Sequence, residues 1–120
     1  MNNKEFSEVL EERTLQFAID VIKMSSSLSN SYESQVIRKQ IAKSGSSVGA
    51  NYHEANRARS RADFINKIKI CLGEANETIF WLKIIDKLDW IEQKKINQVV
   101  EEAHELLAIF TSISSTLKQK

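Results

Sequence analysis

Few residues in this chain have the types and spacing that catalysis or metal binding requires. Glu101 and His104 have the Glu-x-x-His spacing of dinuclear metal sites in helical bundles, but such sites need two copies of the motif and two further glutamates. The chain has one copy, and on a helix both side chains point away from the apolar stripe at Ala103. His53 and Glu54 are adjacent, so they cannot face each other on a helix. We therefore predict no catalytic residue, no metal site and no cofactor, and a protein that is not an enzyme.

Positive charge is concentrated in the middle of the chain, although the net charge is only +1. Residues 38–69 carry eight basic and two acidic side chains. On a helix, part of this segment forms one outer stripe with small residues at its centre and cationic or titratable residues at its ends. Such a stripe suits the sequence-independent attraction of phosphate groups, or it is simply a solvated face; the aromatic residues that stack on bases are missing. The predicted nucleic-acid-binding residues are Lys39, Lys43, His53, Arg57, Arg59 and Arg61.

Two of the three glycines, Gly45 and Gly49, lie inside a segment that otherwise has a helical pattern. Each glycine costs a helix interior roughly 1 kcal/mol relative to alanine. Their small-xxx-small spacing allows a facing helix to approach closely. A phosphate-binding loop would need a preceding strand and a following Lys-Ser or Lys-Thr pair, which the segment lacks. We therefore predict that the glycines serve close packing.

Apolar residues recur at helical spacing in four segments separated by polar residues. The predicted helices cover about residues 4–28, 32–57, 61–88 and 90–118. Each is preceded by a polar pair of the capping-box type: Asn2 with Glu5, Asn30 with Glu33, Ser60 with Asp63, and Asp89 with Glu92. Connections this short force neighbouring helices to run antiparallel. The sequence predicts an all-α, up-down-up-down antiparallel four-helix bundle, forming a single domain over residues 1–120.

Apolar residues also lie on the outer sides of the first and third predicted helices. A lone bundle would expose these stripes to water, and a contiguous exposed apolar patch usually marks a contact surface. Glu77 lies beside the outer stripe of the third helix, where it serves either as a polar contact with a neighbouring subunit or as a solvated carboxylate. We predict a homo-oligomer rather than stripes covered by loops or termini. The predicted interface residues are Leu15, Ile19, Ile22, Ile70, Glu77, Trp81, Ile84 and Leu88.

No segment of the sequence indicates a membrane or an oxidising compartment. The chain lacks a run of about 18 apolar residues, and its first residues are polar, unlike a secretory signal. Cys71, the single cysteine, cannot form an internal disulfide, which fits a reducing compartment. We expect a cytoplasmic protein that does not bind membranes.

Two segments carry a resemblance to a known family. Ser-Val-Gly-Ala-Asn-Tyr at residues 47–52 and Glu-Thr-x-x-Trp-Leu at residues 77–82 resemble the bacterial four-helix-bundle proteins encoded in 23S rRNA intervening sequences. The resemblance implies a homopentameric ring. It implies no ribosomal role, because the family's ribosomal label reflects the position of the gene. Gly73 stands where the family is expected to carry lysine or another long residue. His53 stands where arginine is expected to be commoner.

The family is also similar to the accessory protein of diversity-generating retroelements, which binds nucleic acid and a reverse transcriptase through a positively charged surface. The resemblance therefore implies RNA, DNA or a protein such as a reverse transcriptase as partners. The leading hypothesis is a non-enzymatic, homo-oligomeric helical bundle with weak, sequence-independent nucleic-acid binding. The alternative is a protein–protein adaptor that has no nucleic-acid role.

Overall fold

Four long helices form the protein, and the computed structural model describes residues 1–118. The helices are α1 (Asn3–Ser26), α2 (Tyr32–Ala55), α3 (Arg61–Lys87) and α4 (Gln93–Lys118), and the described residues contain no strand. The long dimension of 46 Å fits helices of 24–27 residues that rise about 1.5 Å per residue. The predicted all-α class is confirmed.

Contacts between successive helices show that they run in opposite directions. On α1 and α2, Gly45 lies against Val21, whereas Gly49, further along α2, lies against Thr14, which is earlier on α1. On α2 and α3, the hydroxyls of Ser44 and Thr78 are 2.9 Å apart. Further along α2, Val48 accepts a hydrogen bond from Cys71, which is earlier on α3. This arrangement is consistent with the predicted up-down bundle.

The remaining helix pairs complete the bundle. Gln93, at the start of α4, donates to Asp86 near the end of α3, and Arg61 at the start of α3 donates to the carbonyl of Leu117 near the end of α4. Arg13 of α1 donates from Nε to Glu102 of α4 over 2.9 Å. The two α3–α4 contacts again join opposite ends, whereas Arg13 and Glu102 meet near the middle of their helices. The α1 and α4 helices pack less closely than the other neighbouring pairs.

The core lies along the central axis and is almost entirely apolar. Tyr52 and Phe110 meet edge to face with ring centroids 5.6 Å apart, a favoured aromatic geometry. Burial of this apolar surface supplies most of the driving force for folding. The largest fully buried apolar side chains are Phe17, Phe110, Leu10, Ile41, Ile68, Leu82, Ile85, Ile96, Leu106, Val21 and Val48.

Gly45 and Gly49 allow α1 to approach α2 closely. A Cβ atom at Gly45 would lie 2.7 Å from Cγ1 of Val21, and one at Gly49 would lie 3.1 Å from the carbonyl oxygen of Thr14. Both distances are shorter than ordinary carbon contacts. The close packing expected of these glycines is therefore present, whereas Gly73 has no neighbour within 4 Å of such a position.

The helix ends differ from prediction at two places. Ser31, rather than Asn30, caps α2, since its hydroxyl accepts from the backbone N–H of Ser34. The last helix begins at Gln93 instead of Trp90. Asp89 adopts a positive φ of 58°, and the N–H of Trp90 bonds back to the carbonyl of Ile85, which closes α3 with a Schellman-type turn.

Candidate functional site

A carboxylate of α1 organises the basic end of α2. Glu11 accepts a hydrogen bond from Asn56 over 2.8 Å, and its other oxygen lies 3.0 Å from Nδ1 of His53. Nη1 of Arg57 lies 3.4 Å from the same carboxylate and donates to the carbonyl of His53 over 2.8 Å. Two of the residues predicted to bind nucleic acid are therefore already held by a carboxylate of the same chain.

The environment of Glu11 favours its charged form. Partial burial opposes ionisation, but the hydrogen bonds from Asn56 and His53 and the charge of Arg57 outweigh it and lower the pKa of Glu11. The carboxylate is thus ionised at neutral pH, and it offsets the positive charge of this part of α2. Cations outside this cluster are therefore better placed to attract a phosphate.

Replacing Glu11 by glutamine should remove an acid-sensitive part of the protein's stability. Because the folded-state pKa of Glu11 is lowered, its contribution is present above its ordinary value near 4.5 and is lost as the pH falls through the lowered value. We expect Glu11→Gln to reduce the free energy of unfolding by about 1 kcal/mol at neutral pH, a value for partly screened ion pairs. The loss should shrink as the pH falls below 4.5.

Urea unfolding of wild type and Glu11→Gln across this pH range measures the effect. Glu12→Gln is the matched control, because Glu12 is exposed and has no hydrogen-bond or ion-pair partner within residues 1–118. If the free energies of unfolding of Glu11→Gln and wild type differ by the same amount at every pH, the ionised carboxylate is not the cause of the effect.

The other predicted nucleic-acid-binding residues are exposed. Within the part of the chain that the structure describes, Lys39, Lys43, Arg59 and Arg61 form no ion pair closer than 4 Å. Arg61 donates one hydrogen bond to a carbonyl of α4. Arg59 and Arg61 lie at the α2–α3 turn, whereas Lys39 lies near the opposite end of α2. The predicted basic stripe is therefore divided into separate cations, with Lys39 and Lys43 in the first half of α2 and Arg59 and Arg61 beyond its end.

A groove of about 550 Å³ runs between α1 and α2 on the outside of the bundle. We call it the α1–α2 groove, and its lining residues are Glu11, Glu12, Thr14, Leu15, Ala18, Ser46, Gly49, Ala50, His53 and Glu54. A separate second depression on the same two helices is lined by Ile22, Arg38 and Lys39, among others. The predicted apolar stripe of α1 thus lies on the same face as the predicted basic stripe of α2.

The predicted apolar residues of α1 are exposed to solvent. The exposed fractions are 53% for Leu15, 37% for Ile19 and 47% for Ile22. They lie four and three residues apart, which places them on one side of the helix. Three large apolar side chains in a row therefore keep about a third to a half of their surface open to solvent within residues 1–118.

A second outer surface lies on α3, and we call it the α3 ridge. It consists of Ile70, Glu74, Glu77, Trp81, Ile84 and Leu88, spaced alternately by four and three residues. Leu88 is 53% and Ile70 36% exposed, whereas Trp81 and Ile84 are half-buried. The predicted interface residues of α3 therefore share one face, although two of them also pack within the chain.

Polar groups on the α3 ridge are poorly satisfied. Nε1 of Trp81 is buried and has no hydrogen-bond acceptor among the described residues 1–118. Burial raises the pKa of Glu74, the negative charge of Glu77 raises it further, and Lys43 partly opposes the shift. A buried donor without an acceptor is unusual in a native protein.

Some residues of these surfaces were not predicted from the sequence. Glu11 lies on an acidic stretch of α1, and its role depends on a helix 42 residues away in the chain. Tyr32 and Val36, exposed by 77% and 43%, border the end of the α3 ridge at Ile84 and Leu88. Tyr32 and Val36 lie four residues apart at the start of α2, and this spacing could have indicated that they share one face of the helix.

Within residues 1–118, the residues considered from the sequence for metal binding or nucleophilic attack do not form a cluster. Glu101 and His104 are both exposed, and the described residues contain no group of three or more potential metal ligands. Burial raises the pKa of the Cys71 thiol to about 12, so the thiolate needed for nucleophilic attack does not form. No helix in the described part of the chain has the length and apolar character needed to cross a bilayer.

Comparison with known proteins agrees with the sequence resemblance. Residues 8–112 match the family of 23S rRNA-intervening sequence proteins. The structure is similar to the crystal structure of a protein of unknown function from the S23 ribosomal protein family of Bacteroides thetaiotaomicron VPI-5482. The TM-score is 0.80 and the sequence identity 38%, over 87% of this chain and 96% of that one. A comparison with curated proteins finds no match. The chain belongs to the 23S rRNA-intervening sequence protein family.

Proposed function

We propose that this chain is a non-enzymatic helical bundle that works as an assembly of identical copies in the cytoplasm. The observation that carries the proposal is the row of exposed Leu15, Ile19 and Ile22 on α1. Contiguous apolar surface of this kind is costly in water and is typical of contact sites. A homopentameric ring is the assembly that the family resemblance implies.

The mass of the protein in solution tests the proposal. Light scattering at micromolar concentration should give a multiple of the 13.7 kDa chain mass, five for a pentamer. Ile22→Glu should lower that mass, because it places a charge in the contact. Val9→Glu is the control, since Val9 is also an apolar residue of α1 with 47% exposure but lies outside the row. A wild-type monomer would refute the proposal.

A second candidate function is weak, sequence-independent binding of RNA or DNA. The observation that favours it is that Lys39, Lys43 and Arg59 are exposed and form no ion pair within residues 1–118. His53 and Arg57 contribute less, because Glu11 already binds them. Binding of this kind should weaken steeply with salt, as counterions are released from phosphates.

A salt series with labelled duplex RNA and DNA tests this second function. We expect binding at low ionic strength that Lys39→Glu with Arg59→Glu abolishes, and that Lys94→Glu with Lys95→Glu, on α4, leaves nearly unchanged. No binding at the lowest salt concentration would refute it. An intact oligomer without nucleic-acid binding would favour the adaptor alternative, in which a protein such as a reverse transcriptase is the partner.

A further inference from the structure

The second depression on α1 and α2 lies beside the connection between these helices, and we call it the loop pocket. It is formed by the last turns of α1, the connection and the first half of α2. Its volume is about 480 Å³, and its lining residues are Ile22, Ser25, Ser26, Asn30, Gln35, Arg38, Lys39 and Ala42. Two of these side chains are cationic and none is acidic. The lining of the pocket is therefore positively charged.

The chain supplies almost no negative charge near the loop pocket. Between Asp20 and Glu54, the sequence contains one acidic residue, Glu33. Glu33 borders a different pocket, which residues of α3 also line, so it lies on another side of α2. Neither cation of the loop pocket forms an ion pair closer than 4 Å within residues 1–118. Both positive charges are therefore left without a counter-charge from the described part of the chain.

Arg38 is held in a fixed position by the connection between α1 and α2. Its Nη2 donates to the carbonyl of Ser29 over 2.7 Å and to Oδ1 of Asn30 over 3.3 Å. Its Nε is buried and has no acceptor among residues 1–118, whereas its Nη1 is not buried and makes no hydrogen bond there. The guanidinium is thus partly removed from water and oriented, and one of its nitrogen atoms is free to donate. An anion in contact with Nη1 would offset the cost of this partial desolvation.

The donors of the loop pocket fit a phosphate group better than they fit other common anions. A phosphate monoester carries about two negative charges at neutral pH and has three terminal oxygens. These charges match the two unpaired cations, and the amide groups of Asn30 and Gln35 are further donors in the lining. A carboxylate carries only one charge. A nucleic-acid strand carries one charge per phosphate, and its bases would find no aromatic side chain in the pocket on which to stack.

We propose that the loop pocket binds the dianionic phosphate group of a small molecule, either free phosphate or a phosphate monoester, with Arg38 and Lys39 as its anchors. The planar guanidinium supplies a directed hydrogen bond, and the lysine supplies a mobile point charge. The pocket is larger than a phosphate group, which leaves room for a small organic group against Ile22 and Ala42. This site requires neither self-assembly nor nucleic-acid binding.

Titration calorimetry at low ionic strength tests the site with inorganic phosphate, glycerol 3-phosphate and AMP. At least one of them should bind saturably at millimolar concentration or below. Dimethyl phosphate, which carries a single charge, should bind at least about tenfold more weakly. Tighter binding of an ester than of inorganic phosphate identifies an ester as the ligand, whereas equal affinities identify free phosphate. No saturable binding of any of the three, or equal binding of dimethyl phosphate, would overturn the proposal.

Three variants show whether binding occurs in the loop pocket. Arg38→Gln should lower the affinity at least about tenfold, the loss expected for a hydrogen bond to a charged group. Lys39→Gln should also weaken binding, and it remains informative if Arg38→Gln loosens the connection, because Lys39 is exposed. Lys43→Gln is the control, since Lys43 is an exposed cation one turn further along α2 that does not line the pocket. Unchanged affinity in the first two variants, or an equal loss in Lys43→Gln, would overturn the proposal.

Binding of duplex RNA by Arg38→Gln separates this site from the proposed nucleic-acid surface. We expect the variant to lose affinity for the phosphate ligand but to bind RNA at low salt as wild type does, and to keep the wild-type mass in light scattering. An equal loss of affinity for both ligands would show that the pocket is part of a general polyanion surface, and would overturn the proposal.

Discussion

Gly45→Ala should lower the free energy of unfolding by about 1–2 kcal/mol, although alanine is the better helix former. The new methyl group would lie 2.7 Å from Cγ1 and 3.1 Å from Cβ of Val21, and a β-branched side chain in a helix has essentially one rotamer with which to avoid it. Either α1 moves outward along its contact with α2, or Val21 adopts a strained rotamer. Urea unfolding at a fixed chain concentration measures the loss.

Gly73→Ala is the matched control and should raise the free energy of unfolding, the opposite of the effect of Gly45→Ala. No atom lies within 4 Å of the position of its Cβ, so the gain in helix propensity, about 1 kcal/mol, is not opposed. Val21→Ala should be less costly in the Gly45→Ala background than in wild type, because the smaller side chain relieves the clash. Equal or greater stability of Gly45→Ala relative to wild type would show that close packing is not the reason for this glycine.

The sequence was sufficient to predict the four helices because each has an apolar stripe and polar residues at its ends. It was misleading at the start of α4, where Trp90 and Ile91 continue the apolar pattern as though they were helical. In the structure they lie in the turn, and both pack toward the core as the chain leaves the positive φ of Asp89. A periodic pattern does not distinguish an apolar turn from the first turn of a helix.

The surfaces were harder to predict, for a different reason. Helical spacing placed Lys39, His53 and Arg57 on one stripe of α2, but the rotation of α1 about its own axis decides which of its residues faces that stripe. Glu11 does so, and this single contact across two helices engages two residues of the predicted binding surface, His53 and Arg57. The sequence of a helix shows which of its residues share a face. Which faces of two helices meet depends on how the helices pack.

The common location of the two predicted surfaces has a consequence for function. His53 lines the α1–α2 groove with Leu15, and Lys39 lines the second depression on the same helices with Ile22. If a second copy occupies the groove, these residues are covered and cannot bind a phosphate. Arg59 and Arg61, at the α2–α3 turn, lie outside the groove. Nucleic-acid binding by the assembly would therefore depend on Arg59 and Arg61, which every copy carries. It would depend far less on the residues along α2, Lys39 and His53.

The Cys71 thiol should resist labelling in the native protein at least about a thousandfold more than in the unfolded chain. The side chain is fully buried, its Sγ lies 3.5 Å from the carbonyl oxygen of Val48, and burial raises its pKa to about 12. Only the thiolate reacts with disulfide reagents, so both exclusion of the reagent and lack of ionisation protect it. Ellman's reagent in mildly alkaline buffer, with and without urea, measures the ratio.

Gly73→Cys provides the internal control for this measurement. It places a second thiol on the same helix at an exposed position with free space around it, so one equivalent should react at once and the second as slowly as Cys71 in wild type. Because Cys71 reacts only when α2 and α3 separate, Gly45→Ala should accelerate the slow phase by the factor that its loss of stability predicts, about tenfold for 1.4 kcal/mol. If Gly45→Ala leaves the rate of the slow phase unchanged, a local opening, rather than unfolding of the bundle, exposes the thiol.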